Sequence, residues 1–434
     1  MNILIVETVW MGGARYTVLG KTLLTAFSIL PTLQAREFAA VTPQHHRVSV
    51  INERYSTIDF DTKYDVVLIN YVTSTAPRAY AIADEFRKKK VIVVLSGFHA
   101  SGLPEEAKEH ADSILIGRNE YGWVSVLQDI EQHRLQPFYH APPYDSSLSL
   151  PATRINLPGF MITGALEATR GCPYHCTFCP EMSVQGKADF YKRPIPEVIA
   201  EIQTISQKTL MFYDTSLTID PTYTKELFRQ MNGLHKKFFC NGNVDVLAND
   251  LELVRLSKEA GCIAWLVGFE SVCQDTLKEM GKRTNTIEEY VTAVHNIHSH
   301  HMAVIGEFIF GFDNDTHEVF EKTFKEITDL QIDVADFSIL TPFPGTVLFE
   351  KLDSQGKILT KDWKLYNMGH AVFTPNHMTP EELEDGVREI YAKFYGPMCT
   401  IQRMTRGVKW GFYPFFAIFA RNLVAMMSRR RLFR

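Results

Sequence analysis

Short runs of Val, Ile and Leu recur through the first third of this chain, and they narrow the fold more than any other feature. NILIVE, RVSVIN, DVVLIN, VIVVLS and SILIG are near-continuous apolar segments, not alternating ones. A strand with one wet face alternates. A strand covered on both faces reads as an unbroken apolar run, as in a parallel sheet sandwiched by helices. The stretches between the runs carry helix patterns. In PRAYAIADEFRKKK, Ala79, Ile82, Ala83 and Phe86 fall on one face. LPEEAKEHAD opens with a proline and two acids, which suits a first helical turn.

Five such strands with intervening helices predict a doubly wound, flavodoxin-like α/β domain over residues 1–135, with its ligand beyond the carboxyl ends of the strands. Residues 136–160 hold Pro137, Pro142, Pro143, Pro151 and Pro158 without periodicity and read as a linker. A second alternation fills residues 161–375. Its strand candidates are GALEAT, TLMFYD, KKFFCN, IAWLVGFE, VIGEFIFG and FSILTPF, with helices starting near Pro196, Asp250, Glu288 and Glu318. Six strand–helix units predict a partial (β/α)6 TIM-type barrel with its site at the carboxyl ends of the strands. Residues 376–434 read as an appended helical region.

The first barrel strand runs into TRGCPYHCTFCPE, where Cys172, Cys176 and Cys179 have C-x3-C-x2-C spacing. Three thiolates this close can hold three corners of a cubane iron–sulfur cluster, and the missing fourth leaves one iron open to bind and activate a ligand. Structural zinc normally closes its shell with four ligands, and His175 is too near Cys176 to chelate the same ion. The other cysteines, Cys240, Cys262, Cys273 and Cys399, are scattered and read as small core residues. An odd total of seven suits a reducing cytoplasm.

The cysteine loop, with Phe178 just before its last cysteine, resembles the signature of the radical S-adenosylmethionine (radical SAM) superfamily. The resemblance implies a 4Fe-4S cluster whose open iron chelates SAM, reductive cleavage of SAM to a 5′-deoxyadenosyl radical, and a reducing partner such as flavodoxin or ferredoxin. Further segments match the family's strand ends. By resemblance Asp214 and Thr215 of MFYDTS lie where the amino group of SAM is contacted. Gly268, Glu270 and Ser271 of GFES lie at the ribose, and Gly311, Pro344 and Gly345 along the adenine.

SGFHASGLPEEAKEHADSILIGRNEYGW resembles the cobalamin-binding domain that precedes many radical SAM barrels. Matching residues include Gly97, His99, Pro104, Glu105, Glu106, Gly117, Glu120 and Trp123, whereas Ser96 and Arg118 depart from the pattern. Small residues at strand ends, Thr75, Ser96 and Gly97 among them, leave room for a large flat ligand. The combination is similar to the class B radical SAM methylases. It implies a C-methyltransferase acting on an unactivated carbon of a lipid, pigment or other small molecule. Radical cyclisation, rearrangement or hydroxylation without methyl transfer stays open at this point, as does a non-catalytic cluster- or cobalamin-binding protein.

Net charge is −5, which disfavours a general nucleic-acid partner. The balance is uneven. Residues 401–434 hold eight Lys or Arg and no Asp or Glu. The apolar run from Trp410 to Ala420 is shorter than the ~20 residues of a membrane span. It suits either an amphipathic helix at an anionic membrane surface, hence a cytoplasmic protein peripheral to the inner membrane, or a helix docked on the protein. His298, His300 and His301 end a helical run, where cationic residues favour the carboxyl-terminal dipole.

Overall fold

A computed structural model describes residues 1–8, 33–53, 56–117, 120–142, 163–181 and 190–428. The first sheet contains β1 (Asn2–Glu7), β2 (Arg47–Asn52), β3 (Val66–Asn70), β4 (Ile92–Ser96), β5 (Ser113–Ile116) and β6 (Phe138–His140). All pairings are parallel, in the order β2-β1-β3-β4-β5-β6. The apolar runs are buried on both faces as expected. Leu4 and Val6 join one core, Ile3 and Ile5 the other, because successive side chains point to opposite faces. The segment read as a linker supplies β6, which pairs with β5, so the sheet extends past residue 135. The rest of that segment, residues 143–160, lies outside the described residues.

The second sheet is built from β7 (Thr163–Leu166), β10 (Thr209–Phe212), β11 (Lys237–Gly242), β12 (Cys262–Glu270), β13 (Ala303–Phe310) and β14 (Val334–Ile339), parallel and in sequential order. The short antiparallel pair β8 (Thr169–Arg170) and β9 (Tyr191–Lys192) brackets the cysteine loop. The outward faces of the strands meet the surrounding helices in one large core. The inward faces meet something the sequence left undecided. Met211, Phe239, Ile305 and Val334 are covered by Trp410 and by Tyr413, Ala417 and Ile418 of the chain's last helix, Phe412–Ser428. That helix closes the barrel from below. The helix before it, Pro397–Val408, anchors the pair through Arg406 to the buried Asp333 at 2.7 Å and Arg403 to Asn422 at 2.7 Å.

The two sheets share packing. Phe349, Trp363, Tyr366 and Val372 from beyond β14 complete a core of the first sheet. Gly102 meets the backbone after β14 so closely that an added Cβ would lie 2.3 Å from the Pro344 carbonyl oxygen. Arg170, directly before the cysteine loop, donates from Nη1 to Glu120 (2.6 and 2.7 Å) and from Nη2 to Glu37 (2.5 Å), both in the first domain. Its Nε lies 2.9 Å from Glu167. Arg170 and Glu120 are both buried.

Candidate active site

Cys172, Cys176 and Cys179 sit on the loop after β8, at the carboxyl ends of the barrel strands, and line a cavity of 740 Å³. Burial pushes all three thiols up, Cys179 to about 12. The three-cysteine donor set fits a cluster with a separate iron for each thiolate. The loop is held from several sides. The Thr177 amide donates to the Met280 carbonyl at 3.1 Å, the Leu348 amide to the Thr177 carbonyl at 3.0 Å, and Thr215 Oγ1 to the Gly171 carbonyl at 2.7 Å.

Glu270 ends β12 with φ +62°, where the strand register slips between Gly268 and Glu270. Such a bulge re-aims one side chain at some conformational cost. The carbonyls it disrupts are gathered by Asn285 Nδ2, which donates to Gly268 and Phe269, and by the Tyr290 hydroxyl, which donates to Phe269 and Ser271. The result is a Glu270 carboxylate facing the cysteine loop and paired with Lys282 at 2.7 Å. Burial lowers the Lys282 ammonium, but Glu270 and then Cys176 outweigh it and hold it above its ordinary value. Gly268 is needed here for space, since a Cβ would meet Glu270 Oε1 at 2.4 Å.

Phe178, Thr215, Gly268 and Glu270, which the motifs nominate for SAM, line the same cavity as the cysteines. Five other expected residues have different tasks. Asp214 is fully buried and accepts from the Ala168 amide, the Thr169 amide and Thr169 Oγ1, which fixes the stem of the cysteine loop. Burial pushes it to about 6 despite those bonds. Ser271 receives the Cys273 amide in a turn. Gly311, at φ +106°, turns the chain toward Asp315 and packs on Leu383. Pro344 contributes its carbonyl to the junction with Gly102, and Gly345 makes the φ +82° turn beside it. None of these lines the cavity.

In the first domain, Thr75 and Ser96 are buried near the carboxyl ends of β3 and β4, and Thr75 Oγ1 receives the Thr8 hydroxyl at 2.8 Å. Gly97 (φ +115°) lets β4 turn against Tyr71, whose oxygen would lie 2.1 Å from a Cβ. His99 is wholly buried. Its Nε2 lies 3.2 Å from Glu106, which also accepts from Tyr80 and Trp363, and its Nδ1 has no hydrogen-bond partner. Thr75, Ser96, Gly97 and His99 do not line the cavity of the cysteines. In the barrel, His298 bonds the buried Asp333 rather than meeting His300, which bonds the Asn296 carbonyl.

Sequence reading missed several cavity residues. Lys282 lies in the connection after the helix Gln274–Glu279, Glu307 on β13, Asp336 on β14 and Arg421 on the last helix. Glu307 and Asp336 had left a signal, each a lone acid in an otherwise apolar or small-residue strand. Burial, then the nearby Glu270 and Asp336 carboxylates, push Glu307 up to about 7.

The profile of the Radical SAM superfamily matches residues 166–327. Bacteriochlorophyllide d C-12(1)-methyltransferase of Chlorobaculum tepidum is 30% identical over 408 residues, 90% of this chain and 88% of that protein. Bacteriochlorophyllide d C-8(2)-methyltransferase of the same organism is 30% identical over 82% of this chain and 83% of its own length. Among solved structures, the radical S-adenosylmethionine methyltransferase TsrM from Kitasatospora setae, with cobalamin and a 4Fe-4S cluster bound, superposes with TM-score 0.69. The match covers 99% of both chains at 15% identity, so the likeness is one of fold.

Proposed function

The chain belongs to the radical SAM superfamily and within it to the methyltransferases, and from that premise we propose a cobalamin-dependent C-methylation of an unactivated carbon in a hydrophobic, pigment- or lipid-like substrate. The carrying observation is one cavity lined at once by three thiols, by the Glu270–Lys282 pair and by Phe308, Phe337, Leu340 and Tyr391. Such a carbon is neither acidic nor nucleophilic, so side-chain acid–base chemistry cannot reach it. Bound cofactors supply the hard chemistry here, an electron and SAM for the radical and a corrin for the methyl group.

The protein's residues do the rest. Cys172, Cys176 and Cys179 would hold three irons. Glu270 is placed to accept from ribose hydroxyls, as carboxylates do in nucleotide sites. Lys282 pairs with Glu270 and offers an ammonium beside the three cysteines. The aromatic walls exclude water from a reactive carbon. Thr75, Ser96 and Gly97 border the carboxyl end of the first sheet, where a corrin would lie, and the Arg170 clamp fixes that sheet relative to the cysteine loop.

The test uses anaerobically purified protein, reconstituted with iron, sulfide and hydroxocobalamin. Expected are about one corrin per chain, release of 5′-deoxyadenosine from SAM, and transfer of deuterated methyl into an extracted pigment or lipid fraction. An intact cluster that cleaves SAM without any methyl transfer would instead favour cyclisation or rearrangement. Loss of SAM cleavage in Cys172→Ala is required by either reading.

Membrane association is a further part of the proposal. The last helix is docked through one face, but its other face and the helix before it leave Met398, Ile401, Val408, Phe412 and Leu423 exposed, with Phe412 stacked on Phe416. Beside them the sequence carries basic residues and no acid. No described helix is long and apolar enough to cross a membrane. An anionic bilayer surface fits that combination. Ile401→Glu with Phe412→Glu should abolish co-sedimentation with anionic vesicles, and unchanged binding would remove this part of the reading.

A further inference from the structure

The lumen has two polar poles. At the cysteine end Glu270 and Lys282 satisfy each other at 2.7 Å. Deeper in the barrel, Asp336 receives one N–H of Arg421, which the last helix carries in from below. Glu307 lies in the same cavity, near enough to both pairs to feel Glu270 and Asp336. The apolar side chains of Leu266, Phe308, Ile309 and Phe337 line it too.

The deep pole is not internally satisfied. A guanidinium offers five N–H donors and does not shed its charge. Among the described residues, Arg421 has no hydrogen-bond partner beyond Asp336, and Glu307 has no hydrogen-bond partner. Arg421 is 24% and Asp336 45% exposed, so the guanidinium's remaining donors open into the cavity, where water or a ligand meets them. Arginine is also an expensive residue to place in a barrel lumen when an apolar residue would seal it better.

We infer that Arg421 binds an acceptor oxygen, of a carboxylate or a ketone-type carbonyl, on an otherwise apolar substrate. The substrate's polar end then lies at the barrel floor and its body along the aromatic wall, with the carbon to be modified toward the cysteine loop. Glu307 stands beside this oxygen. Near neutrality a share of it carries a proton and can donate to the same acceptor. Asp336 holds the guanidinium in place and competes with the ligand for its donors. This assignment rests on the cavity being the substrate's, and it names one chemical feature of that substrate.

The test is binding, without turnover, to the full-length reconstituted protein. Three fluorescent probes of one shape serve: pyrenebutyric acid, its methyl ester and butylpyrene. The acid or the ester should bind about ten-fold tighter than butylpyrene, the worth of one charge-assisted hydrogen bond. Arg421→Met should erase that advantage and leave butylpyrene unchanged. Asp336→Asn, which frees the guanidinium, should strengthen the acid or ester further. A preference for acid over ester identifies a carboxylate, and equal binding of the two identifies a neutral carbonyl. Equal affinity for all three probes, or an advantage that survives Arg421→Met, overturns the assignment. If Arg421→Met also alters butylpyrene binding, Asp336→Asn decides, and unimproved binding there overturns it. SAM cleavage measured on the same preparation reports separately on the radical SAM reading.

Discussion

Strand β4 of the first sheet, Ile92–Ser96, and strand β13 of the second, Ala303–Phe310, are both parallel and flanked by strands on either side, yet only β13 carries an acid, Glu307, midway along it. The cause is what covers each face. β4 is packed by helices on both sides, with Val93 and Leu95 in one core and Val94 in the other, so a charge there would have no water and no partner. β13 curves around a lumen. Its inward positions pass from Ala303 and Ile305, sealed by the last helix, to Glu307 in the cavity. Function enters this architecture where the second sheet gives up packing on one face.

Five substitutions test that contrast, beginning with the largest effect. Cys176→Ala, in the lumen loop, should bring 5′-deoxyadenosine release to the background of SAM alone. Cys240→Ala, on the packed outer side of β11, should keep cleavage and cost about 1–2 kcal/mol in chemical denaturation. Equal loss in both would mean that the cysteines act only through the fold. Next, Arg170→Met leaves Glu120 and Glu167 buried without their cation, at a cost of about 3–5 kcal/mol by the usual scale for half-broken buried pairs. Because the clamp joins the domains, differential scanning calorimetry should show one unfolding transition splitting into two. A single unsplit transition would show that the shared cores alone couple them.

Gly97→Ala tests the packed sheet. It forces a Cβ to 2.1 Å from the Tyr71 oxygen at φ +115°, and should destabilise by about 1–3 kcal/mol without altering SAM cleavage. Glu307→Gln tests the lumen and has the smallest effect. The folded pKa is raised, to about 7 from an ordinary 4.5. The folded state therefore binds the proton more tightly than the unfolded one, and wild-type stability falls as pH climbs through that window. The glutamine variant should lack that fall, and so gain on wild type at pH 8 relative to pH 5. Water in the cavity screens the group, so the gain should be on the order of 1 kcal/mol. No pH-dependent difference would place Glu307 in bulk-like solvent.

The strands were legible to within a few residues because continuous apolar runs have no other economical reading in a chain of alternating helix patterns. The cysteine loop and Glu270 were legible because their neighbours in sequence are also their neighbours in space. Asp214 was misjudged for the complementary reason. It sits at the expected strand end, but its partners, Ala168 and Thr169, come from another strand connection, and no local pattern shows which way a carboxylate turns. Lys282 and Arg421 reach the cavity from a loop and a distant helix, so only tertiary packing brings them in. The last helix shows a limit of periodicity. A Phe-rich amphipathic segment fits a bilayer or a barrel floor equally well, and this one uses Ile418 and Arg421 inward and Phe412 outward.

That helix also sets an order of events during biosynthesis. The cysteine loop leaves the ribosome well before the segment that seals the lumen beneath it. A nascent chain consequently holds its cysteine loop before Tyr413, Ile418 and Arg421 are available to cover the barrel floor.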